Sequence, residues 1–208
     1  YCAKKGFKVA VVEKEASWGR GQNRAAIGGL RATHSDPAKI RICRESIDIV
    51  SGMKEELGID VEWRRGGYLF VAYDEEREAA FRKLLEIQKA AGLDIDWVGP
   101  GRVAELSPGI NMKDLRGGTF SPGDGYASTL MTATAFHRLA MEAGVDFFFG
   151  ETSQSLEVSG GKVNSLKTGK ESFSAPLFVN AAGADAADVA AMAGAELPIH
   201  PDCHEAGV

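Results

Sequence analysis

The sequence predicts a mixed α/β fold in which a doubly wound, mostly parallel sheet is interrupted by a second domain. Two observations lead to this prediction. Short continuous apolar runs, at 8–13 and 177–180, are typical of parallel strands that are covered on both faces. The order of elements is αβ, a long insertion of helices and strands, αβ, a small antiparallel meander, and βα.

Composition and charge narrow the class of protein. The 208 residues are 44% hydrophobic and 25% charged, with a formal net charge of -5, as in an ordinary globular protein. No apolar run approaches the roughly 20 residues that cross a bilayer, and no basic stripe suits nucleic acid or anionic lipid. Three distant cysteines predict neither a disulfide framework nor a metal site. We therefore expect a cytoplasmic setting and a small-molecule partner.

The first elements are predicted from caps and apolar runs. Residues 1–5 have the pattern of a helix end that Gly6 closes, and the strand over 8–13 follows. The Gly-rich stretch 17–31 predicts a loop with at most a short helix. A helix over 36–58 begins with an Asp-Pro cap and ends at glycine. Because the chain starts within an element and stops without a cap, we expect it to be incomplete at both ends.

The insertion continues with strands and two further helices. Residues 61–64 and 67–73 have the pattern of two paired strands. A helix over 74–92 begins at an aspartate cap and ends at glycine, and a short third helix is predicted over 100–106. Residues 119–125 then predict a strand that runs into a tight turn rich in Pro, Gly and Asp.

The last third of the chain alternates helices with strands. A helix that Ser128 caps and Gly144 closes precedes a buried strand over 145–149. A hairpin over 156–163 turns at two glycines, which accept positive φ, and a further strand at 173–175 completes the meander. The apolar run at 177–180 and then an Ala-rich helix follow.

Three places have features of a nucleotide site. Glu13 ends a strand where a carboxylate can accept hydrogen bonds from ribose hydroxyls; an exposed strand-end glutamate is the competing explanation. The loop 21–31 places arginine and asparagine among glycines, a composition that suits binding of a phosphate. A solvated flexible loop is the competing explanation. At 179–183 small residues would let backbone N–H groups approach a pyrophosphate, or they form a plain strand-to-helix turn.

Seven segments, in their order and separations, carry a family resemblance over nearly the whole chain. They are Lys4–Glu13, Asn23–Arg31, Gly66–Phe70, Leu106–Gly109, Ser121–Gly125, Val179–Ala184 and Leu197–Pro201. This pattern resembles the D-amino-acid oxidase-like family of FAD-dependent oxidoreductases, and within it the branch of the sarcosine oxidase beta subunit and proline dehydrogenase.

The resemblance implies a GR2-type FAD-binding, Rossmann-like domain with an inserted α+β substrate domain. The FAD-binding domain would comprise 1–35 and 126–196 and include a β-meander over 152–175. The substrate domain would comprise 36–125 and 197–208. In such proteins a glycine turn precedes the position of Tyr1, and further flavin contacts follow the position of Val208.

The resemblance also implies which residues contact FAD. The carboxylate of Glu13 would hold the ribose, the glycine loop would pass the pyrophosphate and the flavin edge, the backbone near Thr152 would contact adenine, and the turn after residue 180 would close over the diphosphate. The full set is Glu13, Lys14, Gly21, Asn23, Arg24, Ala25, Gly28, Gly29, Thr152, Ala181, Ala182 and Gly183.

The implied reaction is oxidation of the C–N bond of a small amine or amino acid of the sarcosine, glycine or proline type, by hydride transfer to flavin. Candidate substrate residues are Arg31, whose fork suits a carboxylate, with His34, Tyr68 and Tyr126. No general base and no metal ligand is assigned. Partners could include other subunits of an oxidase or dehydrogenase complex. Hydroxy-acid or glycerol-phosphate oxidation, a non-catalytic fragment or subunit piece, and, less favoured, an NAD-dependent dehydrogenase are the alternatives.

Overall fold

The computed structural model describes residues 1–202 and divides into two compact units. The first unit comprises Tyr1–Ala25 and the described residues from Phe136 onward, and the second comprises Ala26–Ala135. The predicted domain division, with its discontinuous FAD-binding part and its substrate part, stays a prediction. The predicted segment 197–208 lies partly outside the described residues.

The first unit is built on one parallel strand pair. Strand β1 (Ala10–Glu13) pairs with β7 (Asp146–Phe149), so that Glu13 lies opposite Phe149 at the carboxyl end of both strands. A single 3-10 turn, Ala3–Lys5, precedes β1 and closes at Gly6, whose φ is 86°. The parallel pairing and the closing glycine confirm the predictions for this part of the chain.

The rest of the first unit contains a meander and a short helix. Strands β8 (Ser155–Ser159), β9 (Lys162–Lys167) and β10 (Ser172–Ser174) form an antiparallel sheet in the order β10-β9-β8. The turn between the first two uses Gly160 and Gly161 at φ of 61° and 73°, as the sequence predicts. Helix α5 (Ala186–Ala191) follows.

The second unit places helices against a three-stranded sheet. The helices are α1 (Pro37–Leu57), α2 (Glu75–Ala90) and α3 (Pro100–Leu106), all at their predicted places. Helix α1 starts as expected: the Asp36 carboxylate accepts a hydrogen bond from the N–H of Ala38 at 2.7 Å, with proline in the first turn. Helix α4 (Thr129–Glu142) begins in this unit and ends in the first.

The strands of the second unit pair over long sequence distances. Strands β3 (Tyr68–Ala72), β4 (Asp96–Val98) and β5 (Gly117–Ser121) form an antiparallel sheet with β5 in the middle. A separate two-stranded ladder joins β2 (Gly29–Leu30) to β6 (Gly125–Tyr126).

The buried core of the second unit lies between α1, α2 and the residues that flank β2 and β4. Cys43 and Trp97 pack against it without being fully buried. Close packing of this kind fixes the backbone that carries the polar residues next to it. The cluster consists of Ala32, Ile40, Ile47, Leu85, Leu93 and Ile95.

Two predicted strands are wrong. Residues 61–64 do not pair with β3: Glu62 has a φ of 56°, which interrupts the extended chain, and Arg64 forms an isolated bridge with Tyr126 instead. The second apolar run, 177–180, forms no strand and pairs with none among the described residues. Its Leu177 and Val179 are 72% and 75% exposed.

Candidate functional site

Glu13 lies where the sequence places it, at the carboxyl end of a parallel strand. Its Oε1 accepts a hydrogen bond from the backbone N–H of Glu15 at 2.8 Å, and among the described residues its Oε2 has no partner. This leaves one carboxylate oxygen for an outside donor. The carboxyl ends of parallel strands are where α/β sheets bind ligands.

Thr152 lies close to Glu13 in the fold. Beyond β7 the N–H of Glu151 donates to the main-chain oxygen of Glu13 at 3.0 Å, so the chain leaving β7 continues to run beside the end of β1. Thr152 follows and is exposed. Two of the predicted cofactor positions, Glu13 and Thr152, are 139 residues apart in sequence and are therefore neighbours in the fold.

The turn at 181–183 is held next to the same strand end by Lys14. The Nζ of Lys14 forms an ion pair with Oδ2 of Asp185, and this partner holds the pKa of Lys14 above its ordinary value. The turn itself is shaped by Asn180, whose Oδ1 accepts from the N–H of Ala182 at 3.2 Å and whose Nδ2 donates to the oxygen of Ala186 at 2.8 Å. Gly183 takes a φ of 59°. Ala181, Ala182 and Gly183 are exposed.

An aromatic stack holds the start of the glycine loop in the first unit. The ring of Trp18 stacks on His137 of α4 with centroids 4.1 Å apart and planes 10° apart, and Phe149 lies against both. Nothing in the sequence near Trp18 indicates this contact, because the partner is more than a hundred residues away. Gly21, with a φ of 60°, and the 3-10 turn Asn23–Ala25 follow the stack.

The predicted residues Gly28 and Gly29 belong to the second unit, where both are closely approached. Gly28 has a φ of 85°, and a Cβ on it would lie 2.2 Å from the carbonyl oxygen of Ala127. A Cβ on Gly29 would lie 2.6 Å from the hydroxyl of Tyr68. Gly28 therefore requires glycine, because its φ is positive and the atom that a Cβ would meet belongs to the main chain. At Gly29 a larger residue would instead have to displace the Tyr68 side chain.

The second unit also brings together Arg31, His34 and Tyr68, three of the four predicted substrate residues. Arg31 and His34 line a cavity of about 280 Å³ between α2 and the sheet, whose other walls include Phe70, Gln88 and Thr119. The guanidinium carbon of Arg31 lies 5.9 Å from the ring centroid of Tyr68. The fourth residue, Tyr126, is 46% exposed, pairs with Gly29 in β6 and is not among the residues that line the cavity.

One wall of the cavity carries the positive charge of Arg31. Nη1 of Arg31 donates to the main-chain oxygen of Thr33 at 2.6 Å, and the guanidinium lies over the ring of Phe70 at 5.3 Å. Burial, together with the positive charges of Arg31 and Lys39, lowers the pKa of His34. His34 is therefore neutral near pH 7, and Arg31 supplies the cationic charge of this wall.

Asp124 is a residue whose role the sequence analysis missed. The Pro-Gly-Asp-Gly pattern predicts a turn residue, and the turn is present, but the side chain is 1% exposed. Its Oδ1 accepts a hydrogen bond from the N–H of Ala32 at 3.0 Å, while Oδ2 has no partner among the described residues. Burial raises the pKa of this carboxyl, against the opposing effects of the Ala32 N–H, the Ser121 hydroxyl and Arg31.

Glu151 is a second buried carboxylate that sequence reasoning missed. It is 6% exposed and forms an ion pair with Lys170 at 3.0 Å. The Thr168 hydroxyl and the Lys170 ammonium together hold the pKa of Glu151 below its ordinary value. This pair joins the meander to the segment after β7.

Neither a metal centre nor a membrane span is found in the described part of the chain. No group of three or more His, Cys, Asp or Glu side chains within residues 1–202 has the arrangement to hold a metal ion. None of the helices there combines the length and the apolar character needed to cross a bilayer.

Comparison with known proteins places this geometry in a wider context. The model of the FAD dependent oxidoreductase family called DAO matches residues 1–207. The beta subunit of sarcosine oxidase from Arthrobacter sp is 32% identical over 203 residues, which is 93% of this chain and 49% of that protein.

Solved structures of amino-acid oxidoreductases also align with nearly the whole chain. The crystal structure of L-proline dehydrogenase from P. horikoshii has a TM-score of 0.83 at 29% identity, covering 92% of this chain and 50% of that one. Glycine oxidase from Geobacillus kaustophilus has a TM-score of 0.76 at 26% identity, covering 92% and 53%. The chain thus spans about half the length of these similar proteins.

Proposed function

The chain belongs to the DAO family of FAD-dependent oxidoreductases, and from this premise we propose that it is part of an enzyme that oxidises the C–N bond of a small amine or amino acid. The observation that carries the proposal is the family match over residues 1–207. The match therefore covers nearly the whole chain.

The residues near the end of β1 fit the adenosine part of FAD. The Oε2 of Glu13 is available to accept from ribose hydroxyls, while Oε1 keeps the carboxylate in place through Glu15. Thr152 and the exposed turn 181–183 flank this position, and Lys14 ties the turn to the strand end through Asp185. This donor and acceptor set is one that a dinucleotide requires.

The glycine loop fits a close approach of backbone to cofactor. Gly21 is exposed, and a Cβ on it would meet nothing within 4 Å; the short turn of Asn23, Arg24 and Ala25 follows it. Small residues of this kind let main-chain N–H groups come close to a phosphate. When bound, FAD would supply the electron acceptor that no side chain of the protein can provide.

The cavity of the second unit fits the carboxylate of an amino-acid substrate. Within the described residues Arg31 donates hydrogen bonds only through Nη1, to Thr33, and forms no ion pair. The other N–H groups of its planar guanidinium can therefore bind two carboxylate oxygens of a ligand in the cavity. A neutral His34 next to it adds no second positive charge. Phe70 provides an apolar wall for the carbon chain, and the volume of about 280 Å³ suits a small molecule.

Sarcosine, glycine and proline are the proposed substrate type. The support is that similar proteins are named sarcosine oxidase subunit beta, L-proline dehydrogenase and glycine oxidase. The first of these names also supports a proposal that the protein works with other subunits. A cytoplasmic location stays a prediction from the sequence.

The test uses the full-length protein that contains this chain. It is purified with FAD in the buffer, its mass is measured, and its visible spectrum is recorded. We expect flavin absorbance bands that bleach under anaerobic conditions when sarcosine, glycine or proline is added. Bleaching by a hydroxy acid or by glycerol phosphate would refute the C–N assignment, and a protein that takes up no flavin would favour the non-catalytic alternative.

A further inference from the structure

We propose that Asp124 is a positioning residue for Arg31: it fixes the backbone at Ala32 so that the guanidinium faces the cavity ready for a carboxylate ligand. The inference rests on the proposed role of Arg31 in substrate binding. It adds a residue that touches neither substrate nor cofactor and acts through the main chain.

The Asp124 side chain continues the hydrogen bonding of the β2-β6 ladder beyond its last strand pair. Leu30 lies opposite Gly125, and the N–H of Ala127 donates to the oxygen of Gly28 at 3.0 Å. At Asp124 the chain turns away, and its main-chain oxygen accepts from the N–H of Gly67 at 2.9 Å. The ladder would end here, but the Asp124 side chain takes the place of the missing carbonyl and accepts from the N–H of Ala32 at 3.0 Å.

The second step concerns Arg31, which lies between two fixed residues. Leu30 is held by strand pairing and Ala32 by Asp124, so the backbone that carries Arg31 has little freedom. The side chain is then oriented by Thr33 and by the ring of Phe70. A guanidinium that is held in place before its ligand arrives loses less conformational entropy on binding.

The third step is the cost of the arrangement. Asp124 is 1% exposed, and within the described residues its Oδ2 has no hydrogen-bond partner. Burying such a group without full satisfaction is unfavourable, and each such case in a folded protein calls for an explanation. A turn needs no buried carboxylate, since exposed Asp, Asn or Gly serves equally well. The fixed position of Arg31 supplies the explanation.

The experiment measures binding of propionate and of its neutral isostere propanamide to the full-length protein by calorimetry. We expect the wild type to bind propionate in preference to propanamide, and Arg31→Met to abolish that preference. Asp124→Ala should weaken propionate binding by about tenfold or more and leave propanamide binding unchanged. A general loss of packing would weaken both, so this selectivity separates positioning from a merely structural role.

Two further variants act as controls. Asp124→Asn keeps an oxygen that accepts from Ala32 and should bind propionate within about threefold of the wild type. Ser121→Ala removes a fully buried hydroxyl that acts on the Asp124 carboxyl but leaves the hydrogen bond from the Ala32 N–H to Asp124 in place, and it should also bind propionate as the wild type does. Loss of propionate binding in Asp124→Asn equal to that in Asp124→Ala would overturn the proposal, and so would a wild type with no propionate preference.

Failure of this inference and failure of the proposed function give different results. Propionate binding that depends on Arg31 and Asp124 in a protein without flavin would support the inference while the proposed function fails. Flavin reduction by an amino acid with propionate binding indifferent to Asp124→Ala would do the reverse. If Asp124→Ala does not fold, amide hydrogen exchange decides: the Ala32 N–H should be protected in the wild type and in Asp124→Asn, and rapid exchange at Ala32 in the wild type would overturn the proposal.

Discussion

Substitution of Gly28 by alanine tests how closely the glycine loop is packed. Gly28 has a φ of 85°, and a Cβ there would lie 2.2 Å from the carbonyl oxygen of Ala127. That oxygen belongs to the main chain, so it cannot move aside as the end of a flexible side chain could. We expect Gly28→Ala to destabilise the second unit and to lower its affinity for the cofactor.

The magnitude follows from two costs. An alanine in the left-handed region costs about 1–2 kcal/mol. The clash with Ala127 adds about 1–3 kcal/mol, as overpacking of a well-packed site does. Together, the free energy of unfolding should fall by about 2–5 kcal/mol.

Gly109 provides a matched control in the same unit. Its φ is 88°, and a Cβ on it would meet nothing within 4 Å. Gly109→Ala therefore carries the cost of the left-handed backbone without the clash, about 1–2 kcal/mol. The difference between the two variants isolates the contribution of the close approach.

The assay is urea unfolding of the full-length protein, followed by tryptophan fluorescence and circular dichroism, with flavin content measured in parallel. Gly28→Ala should unfold at a clearly lower urea concentration than Gly109→Ala and should retain less flavin. If the two variants differ by less than about 0.5 kcal/mol, the close approach at Gly28 does not constrain the loop and the reasoning is refuted.

Three further predictions concern charged residues. Glu13→Gln should reduce flavin content of the purified protein by about tenfold, while Glu15→Gln should leave it unchanged; equal loss in both would remove the ribose role of Glu13. Arg31→Lys should raise KM for a carboxylate-bearing substrate by about 10–100-fold because the two-pronged contact is lost, and an unchanged KM in steady-state assays would contradict this. Since the folded pKa of Glu151 is lowered, its ion pair stabilises the protein above the unfolded pKa, and this contribution disappears as pH falls through the folded value. Glu151→Gln should thus be less stable than the wild type at neutral pH, and the difference in urea midpoint should shrink as pH falls through the folded pKa of Glu151; a difference that stays constant from neutral pH into the acid range would contradict this.

Helix ends and tight turns could be predicted because their causes are local. Asp36 followed by proline caps α1 as expected, and Gly58 closes it at a φ of 66°. Gly160 and Gly161 form the hairpin turn that two adjacent glycines favour. In each case the residues that decide the structure are within one helical turn or hairpin of each other, so the sequence pattern contains the whole argument.

Strand partners could not be predicted in the same way. Residues 61–64 and β3 are adjacent in sequence and have the residue pattern of two paired strands, yet β3 pairs with β5, whose Ser121 lies opposite Tyr68. The burial of the run at 177–180 could not be predicted for a similar reason. Its apolar pattern indicates burial, but burial depends on which segment covers it, and no strand among the described residues does so.

Asp124 shows how a correct local prediction can conceal a second role. Proline, glycine and aspartate between two strands indicate a turn, and the turn is present. Because the turn accounts for all these residues, the sequence pattern gives no reason to expect a second role for Asp124. The hydrogen bond to the N–H of Ala32 spans 92 residues, and it exists because β2 and β6 form a ladder that ends at this residue. A buried carboxylate in a turn is recognised by burial and not by residue type, since an exposed turn aspartate has the same sequence signature. The residue that fixes Arg31 could therefore be found only once the fold had placed it there.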